Sequence, residues 1–459
     1  MAWSRSPALM TMSMRARSIF RFCVLSAASL ILAGGPGPVL AAERVASGLL
    51  ADGTSYLITI PDNWNGVVIS DLDYVTSADG ARSRYFLSKG FGLSGIGRHP
   101  QRRDQYDPAV EVDDLMAVLD MLKARFGAPK RIIQYGQSGG GHIALAIAET
   151  HPERVNGAIA TCAHTPLLTA GARYDVMTAL KALAAPGDAT LMTAGFPRDV
   201  APQVARWTEV LKAAGETPQG RARIALAFAV TQWPAWGVGE GTPPDPRDPQ
   251  ALAAIMARTA ASLAADNIPS QYMYERHGAL AGTVGADYAA YWANADPAYA
   301  GAVRSLYLAA GLDLQADLSA LGAAPRTPND PKADDFWQGV QTRTPRGLPL
   351  MPVLRMHTIG DPTTMVAQTK VYWDLVEKNG KGDLYRRAFV ERTGHCNFTV
   401  AESAAAVAVM MRRLDTGHWE DMAPGNLNSI GRAAQTWTEP RFVDYVLRPF
   451  NGMWRLRRS

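Results

Sequence analysis

The chain has 459 residues, of which 47% are hydrophobic and 19% are charged, and its formal net charge is +4. This length leaves room for a large core plus an inserted or second domain, and the composition fits a soluble globular enzyme. The basic excess comes from residues 1–42, which carry four arginines and no acidic side chain. The remaining residues have no net formal charge, so the charge balance gives no support for a nucleic-acid partner.

Residues 1–42 have the pattern of a secretory signal peptide. Basic residues up to Arg21 precede an apolar run at 22–33, and small residues at 39–42 offer a cleavage site. The apolar run is too short for a membrane-spanning helix. We therefore expect a secreted or periplasmic protein without a stable membrane anchor after cleavage; an uncut N-terminal anchor is the alternative.

Strands and helices alternate in the first part of the chain after this segment. Residues 45–50 and 55–60 predict an opening hairpin. Further strands are predicted at 67–70, 91–96, 132–135 and 157–161, and helices at 81–88, 113–126 and 143–147. This alternation predicts an α/β fold with a mostly parallel sheet covered by helices on both faces.

The alternation stops at Pro166 and resumes near residue 350. Residues 166–346 are rich in alanine and leucine at helical spacing, with proline-rich breaks such as 242–246. Strands at 351–356 and 385–390 and helices at 366–379 and 401–414 then restore the pattern. We predict a core at 43–165 and 347–459 and a large helical cap or lid at 166–346. The last 45 residues are expected to be irregular.

A G-x-S-x-G motif lies between a predicted strand and a predicted helix. Gly136 and Gly140 bracket Ser138, and the small residues tolerate a sharp strand-to-helix turn. Such a turn holds the serine in a strained backbone conformation and exposes its hydroxyl group. We therefore predict that Ser138 is a nucleophile; a glycine-rich structural turn is the alternative.

A serine nucleophile needs a base that a third group orients. In open parallel sheets, functional groups gather at the carboxyl ends of the strands. Asp361 and His395 each follow a late predicted strand, and the order Ser138, Asp361, His395 is that of nucleophile-elbow hydrolases. Glu391 is the alternative acid.

The tetrahedral intermediate needs hydrogen-bond donors for its oxyanion. The backbone N–H of Gly139, directly after the nucleophile, is the first candidate. The second should come from the loop after strand 67–70, where Leu72 or Asp73 is favoured. The two acids of this loop, Asp71 and Asp73, could instead make turn hydrogen bonds that fix it.

At these residues the chain resembles the α/β-hydrolase superfamily, over residues 45–165 and 348–413. The resemblance implies that Ser138 is the nucleophile, His395 the base and Asp361 the acid, with no cofactor. The usual His-Gly of the oxyanion loop is replaced by residues 70–73, which leaves the second donor open. Residues 61–66 are similar to the entry of secreted esterases, and residues 71–74 are faintly similar to zearalenone-type lactone hydrolases.

Two cysteines, Cys162 and Cys396, lie outside the predicted signal peptide. Both follow strands at the catalytic edge, so a disulfide would pin the histidine loop beneath the cap; two small buried hydrophobic side chains are the alternative. Neither cysteine has the ligand spacing of a zinc site, and we expect no metal.

Residues in and next to the predicted cap indicate the class of substrate. Trp233 and Trp236 flank a proline, which predicts a rigid wall of a substrate pocket, and His164 on a rim loop is a further candidate contact. The sequence has no arginine cluster typical of a polyanion site. We therefore expect a neutral, hydrophobic ester or lactone as the small-molecule substrate, cleaved through an acyl-enzyme. A serine peptidase is the alternative, with Glu275 as a contact for the peptide amino group, and a non-catalytic binding protein is the third possibility.

Overall fold

The computed structural model describes residues 43–239, 241–280 and 282–452. The predicted signal peptide lies outside these residues. Within them, no helix combines the length and the apolar character needed to cross a bilayer.

In the described residues, nine strands form one sheet in the order β1-β2-β4-β3-β5-β6-β7-β8-β9. The pairs from β4 through β8 are parallel, and antiparallel strands flank them on both sides. The predicted α/β class is therefore confirmed. The strands are β1 Glu43–Leu49, β2 Ser55–Pro61, β3 Val67–Asp71, β4 Gly92–Ile96, β5 Arg131–Gln137, β6 Gly157–Thr161, β7 Val353–Gly360, β8 Tyr385–Thr393 and β9 Phe442–Val443.

Sixteen α-helices lie in the described residues, and two 3₁₀ helices, Glu275–His277 and Gly382–Leu384, accompany them. The α-helices are α1 Tyr74–Ser77, α2 Ala81–Ser88, α3 Arg102–Gln105, α4 Pro108–Phe126, α5 Gly139–Thr150, α6 Pro166–Ala184, α7 Ala201–Gly215, α8 Pro218–Thr231, α9 Pro249–Tyr274, α10 Tyr288–Ala293, α11 Pro297–Ala310, α12 Leu314–Ala323, α13 Pro331–Gly339, α14 Gln368–Lys378, α15 Val400–Thr416 and α16 Pro424–Ala433.

Helices cover both faces of the sheet because successive strand residues point to opposite sides. Val68 and Ile132 pack into the layer with α4, α5 and α14. Their neighbours Val67 and Ile133 pack into the opposite layer with α2, α15 and α16. Both layers are apolar, so the central strands are hydrophobic on both faces and hold the strand ends in fixed register.

Between β6 and β7 the chain runs through α6 to α13. This helical insertion has its own hydrophobic core, in which Trp207 is fully buried and donates its indole N–H to the Met192 carbonyl oxygen at 2.8 Å. Most of the aromatic side chains of the insertion are therefore needed for its own packing.

The C-terminal residues differ from the prediction of an irregular segment. Helix α16 packs on α15, and β9 adds an antiparallel edge to β8, with Phe442 paired to Val390. Phe442 and Leu427 are buried in the layer beneath α15. The prediction was wrong here because two strand residues and a ten-residue helix carry little periodic signal.

A buried carboxylate joins the end of the insertion to the core. Glu149, on α5, accepts hydrogen bonds from the backbone N–H groups of Arg346, Gly347 and Leu348 at 2.7–2.9 Å. The Tyr372 hydroxyl also donates to it, at 2.9 Å. The chain that returns from the insertion to the sheet is thus fixed to α5, the helix that follows Ser138.

We expect Glu149→Ala to lower the free energy of unfolding by about 3 kcal/mol or more, because it leaves several buried donors without an acceptor. Urea unfolding measures this difference. Glu153→Ala, on the exposed turn after α5, is the matched control and should change the value by less than about 0.5 kcal/mol. Equal effects of the two substitutions would contradict an anchoring role for Glu149.

Candidate active site

Ser138 lies at the sharp turn between β5 and α5, with φ at 56° and ψ at −117°. This left-handed conformation is strained for a residue with a side chain. A Cβ atom at Gly136 would overlap the Gly140 carbonyl oxygen, and one at Gly141 would lie 2.7 Å from the Thr161 carbonyl oxygen. The close crossing of strand and helix therefore requires glycine at both positions, while Gly140 itself has more room.

The structure brings His395 and Asp361 together at the carboxyl ends of β8 and β7. His395 Nδ1 lies 3.0 and 2.8 Å from the two carboxylate oxygens of Asp361. The backbone N–H groups of Thr363 and Thr364 each donate to Asp361 Oδ1 at 2.9 Å. Glu391, the alternative acid, lies within β8 and is not the carboxylate that contacts the ring.

The electrostatics of this pair fix the tautomer of His395. Burial alone raises the pKa of Asp361, but the neighbouring His395 and His357 outweigh burial and hold the pKa well below its usual value. An ionised carboxylate only accepts hydrogen bonds, so His395 Nδ1 carries the hydrogen. Nε2 is therefore left as a proton acceptor.

A disulfide joins Cys162, just after β6, to Cys396, with 5.5 Å between the Cα atoms. The predicted disulfide is therefore confirmed, and the alternative of two separate buried hydrophobic side chains is wrong. Cys162 Sγ, Cys396 Sγ and a His395 ring nitrogen lie within 4.8 Å of one another. The sulfurs are bonded to each other, so this group lacks the thiolates that a metal would bind.

Backbone strain concentrates at these residues. Of the five non-glycine residues with positive φ in the described chain, Ser138, Cys162 and Cys396 lie at the site. Such conformations persist only where surrounding contacts determine them. Here the Ser138 N–H donates to the Thr161 carbonyl oxygen at 3.0 Å, which ties the serine to the strand that leads to Cys162.

His164 contacts the nucleophile directly. Its Nδ1 lies 3.4 Å from Ser138 Oγ, and its Nε2 lies 2.6 Å from the Tyr274 hydroxyl. Burial, together with the positive charges of neighbouring groups, lowers the pKa of His164 well below its usual value, so the ring is neutral. No hydrogen bond between Ser138 and His395 is present among the described residues; such bonds often tighten only when substrate is bound.

The acids of the loop after β3 are paired within the protein. Asp71 accepts from the Asp73 N–H at 3.0 Å and forms an ion pair with Arg82, and Asp73 pairs with Arg98. The Asp73 N–H is thus already occupied, so the structure does not favour Asp73 as the second oxyanion donor. Leu72 is buried with its Cβ 3.3 Å from the position of a Gly140 Cβ, and it stays the candidate.

Two arginines, Arg98 and Arg102, lie close to the turn at Ser138. A Cβ at Gly139 would lie 2.5 Å from Arg98 Nη1 and 3.1 Å from Arg102 Nη2. Arg102 pairs with Glu111, and its charge, like that of Arg173, acts on His164. Arg98 and Arg102 are each paired with an acid, so they do not contradict the expectation that the chain has no arginine cluster typical of a polyanion site.

Trp233 and Trp236 line a cavity of about 410 Å³ between the insertion and the C-terminal residues 445–448. Ser138 and His395 are not among the described residues that line it. The segment 233–237 lies instead against the loop that carries Asp361. A Cβ at Gly237 would lie 2.7 Å from the side chain of Pro362, the residue after Asp361. The tryptophans thus pack behind the acid loop, and their role as a substrate wall stays a prediction.

Sequence reasoning did not find Tyr274 or Arg173. Both belong to insertion helices whose alanine-rich sequences identify them as helical and nothing more. Only the packing of α6 on α9 places them beside His164. No local motif could have found them.

Comparisons with known proteins agree with this architecture. A family model described as serine aminopeptidase, S33, matches residues 80–231. The o-phthalyl amidase of Xanthobacter agilis is 41% identical over 438 residues, which cover 89% of this chain and 96% of that protein.

Solved structures are more distant. Feruloyl esterase B from Aspergillus oryzae is 16% identical with a TM-score of 0.41, over 85% of this chain and 84% of that chain. An esterase of Pyrococcus furiosus is 11% identical with a TM-score of 0.39, over 81% of this chain and 90% of that chain. The similarity to zearalenone-type lactone hydrolases stays a prediction.

The disulfide should be required for the reactivity of Ser138. We expect the double variant Cys162→Ala, Cys396→Ala to react with a fluorophosphonate about 100-fold more slowly than the native chain, since a shift of about 1 Å in a catalytic group has effects of this size. The free energy of unfolding should fall by roughly 2–5 kcal/mol. Labelling rates, compared at a temperature where circular dichroism shows both proteins folded, provide the measurement. An unchanged rate in the folded variant would contradict this role.

Proposed function

This chain belongs to the α/β-hydrolase superfamily and to the family of the o-phthalyl amidase of Xanthobacter agilis, and from that premise we propose that it hydrolyses an amide or ester of an aromatic carboxylic acid. The reaction passes through an acyl-enzyme on Ser138. The observation that carries the proposal is the hydrogen bond of His395 to the buried Asp361 beside the strained serine turn.

The chemistry follows from the orientation of the groups. Ser138 Oγ attacks the carbonyl carbon while His395 Nε2 takes the hydroxyl proton, and Asp361 stabilises the resulting imidazolium. The N–H groups of Gly139 and Leu72 are proposed to stabilise the oxyanion. His395 then protonates the leaving amine or alcohol, and water, activated by the same ring, releases the acid.

We propose an amide, rather than an ester, as the preferred substrate. The sequence alone favoured a neutral, hydrophobic ester or lactone. The amidase relative, identical at 41% of positions over nearly its whole length, supports an amide with an aromatic acyl group instead. An o-phthalyl group carries a second carboxyl group beside the acyl carbon, so the first candidate substrate is anionic.

A serine peptidase is the second candidate, and the serine aminopeptidase family match favours it. Glu275, the expected contact for a peptide amino group, gives it no support. One carboxylate oxygen of Glu275 accepts from the Tyr174 hydroxyl and the other accepts from the Gly195 N–H at 3.0 Å. A carboxylate already bound on both oxygens has less capacity left for a substrate ammonium group.

We further propose that the helical insertion at 166–346 acts as a cap over the site and that the protein is exported to the periplasm or the medium. The cap proposal is supported by the contact of Tyr274 with His164. Export is supported by the N-terminal sequence pattern and by the disulfide, since disulfides persist in oxidising compartments. The proposed partner is a small molecule.

The direct test compares the purified protein with Ser138→Ala on a panel of substrates. The panel contains an N-aryl phthalamic acid, an aryl benzoate, a macrocyclic lactone and an aminoacyl anilide. We expect hydrolysis of the aromatic amide and ester, with kcat falling at least about 10⁴-fold in the variant, because the acyl-enzyme route is lost.

The other outcomes are equally informative. Cleavage of the aminoacyl anilide alone would support the peptidase. Hydrolysis that persists in a folded Ser138→Ala variant would contradict the acyl-enzyme.

A further inference from the structure

Arg173 is a buried cation that forms no ion pair among the described residues. Its side chain lies on α6 and is 2% exposed. Nη2 donates to the Thr363 carbonyl oxygen at 3.1 Å, but Nε and Nη1 have no hydrogen-bond partner among the described residues. The guanidinium therefore has two unused donors in a place that water does not reach freely.

This arrangement differs from that of the other arginines near the nucleophile. Arg82 pairs with Asp71, Arg98 with Asp73 and Arg102 with Glu111. A buried charge without a partner is costly, and the cost is offset when an anion binds. Burial lowers the pKa of Arg173, although a guanidinium keeps its charge in proteins.

Arg355 is also buried without an ion pair among the described residues. Its Nη2 donates to the Ala163 carbonyl oxygen at 2.9 Å, and it lies on β7 within the core of the sheet. Its neighbours include the hydroxyl groups of Tyr385 and Tyr372, two side chains of the layer beneath α14. Arg173 is distinguished by its place on an insertion helix next to the site.

Two further unpaired polar groups lie on the helix that packs against α6. Asn267 and Gln271 of α9 are fully buried, and neither the oxygen nor the nitrogen of either side-chain amide has a partner among the described residues. Their spacing, with Tyr274 three residues further, puts all three on one helix face. Tyr274 reaches His164 from that face.

Helix α9 packs against α6, the helix that carries Arg173. The carboxylates of Asp266, on α9, and of Asp361 act electrostatically on the Arg173 guanidinium. The Arg173 charge in turn acts on His164, whose Nδ1 contacts Ser138 Oγ. Two packed insertion helices thus reach the site, α6 through the contact of Arg173 with Thr363 beside Asp361 and α9 through the contact of Tyr274 with His164.

We propose that Arg173, assisted by Asn267 and Gln271, binds a carboxylate that the substrate carries next to its scissile carbonyl group. A planar guanidinium with two free N–H groups matches a carboxylate, and such charge-assisted pairs are about twice as strong as neutral hydrogen bonds. The inference rests on the proposed hydrolase function and adds a specificity-determining residue to it. The substrate class is an amide of an aromatic ortho-dicarboxylic acid.

Arg173 also touches the acid loop through Thr363, so a purely positioning role must be separated from recognition. A positioning role would lower kcat for every substrate alike. A recognition role would raise KM and lower kcat/KM only for substrates that carry the carboxylate. A matched pair of substrates distinguishes the two.

The experiment uses N-(4-nitrophenyl)phthalamic acid and the corresponding carboxamide, in which CONH₂ replaces the carboxylate. We expect the native protein to prefer the anion by at least about 10-fold in kcat/KM. In Arg173→Met this preference should fall by about 10- to 100-fold, because one charge-assisted pair is lost. Arg173→Lys keeps the positive charge but lacks the planar pair of N–H donors, so it should recover part of the preference for the anion.

Arg223→Met is the matched control, since Arg223 is also an insertion arginine but is paired with Asp317. It should leave the preference unchanged. If Arg173→Met does not fold, Asn267→Leu and Gln271→Leu are measured instead and should each lower the preference by several-fold. Inhibition of the native protein by phthalate but not by phthalamide is an independent expected result.

Two outcomes overturn the inference while the proposed function stands. One is equal kcat/KM for the anion and the carboxamide in the native protein; the other is an equal loss on both substrates in Arg173→Met with unchanged KM. Hydrolysis of neither substrate nor any aryl ester by the native protein would overturn the proposed function itself, and the inference with it.

Discussion

The disulfide between Cys162 and Cys396 is the constraint on which the geometry of the site depends, because it ties the loop after β8 to the loop after β6. Strand β7 lies between these two strands, and Asp361 leaves its end directly beneath the tie. The carboxylate then holds His395 through Nδ1. Three neighbouring parallel strands and one covalent bond thus fix the acid and base at the edge of the sheet where β5 delivers Ser138.

The insertion contributes contacts to the site. Tyr274 connects α9 to His164, and Glu149 fixes the returning chain to the helix that follows Ser138. These contacts, together with the hydrogen bond of Arg173 to Thr363, join the insertion to the sheet and its helices. Ser138, Cys162 and Cys396 have strained backbone, and buried polar atoms of Arg173, Asn267 and Gln271 have no hydrogen-bond partner among the described residues. Strained backbone and unpaired buried polar groups such as these are usual at functional sites.

The sequence was sufficient for the α/β fold and for the proximity of Asp361 and His395, because strand ends and the glycine pattern around Ser138 are local signals, while the edge strand β9 was missed. Asp361 and His395 followed from the rule that strand ends share one edge. Of the two candidate loop donors, the backbone N–H of Asp73 is taken by Asp71, as the alternative of turn hydrogen bonds predicted, and the role of Leu72 stays a prediction. Arg173 and Tyr274 were missed because they reach the site through helix packing between α6 and α9.

The central claim is that Ser138 carries a covalent acyl intermediate. The most direct test is to quench the protein during turnover of 4-nitrophenyl benzoate, an activated ester whose acylation outpaces deacylation, and to map the adduct by peptide mass spectrometry. The account predicts a benzoyl group on Ser138 and a burst of nitrophenolate that matches the concentration of sites. Steady hydrolysis with no burst and no adduct at Ser138, or an adduct on another residue, would contradict it.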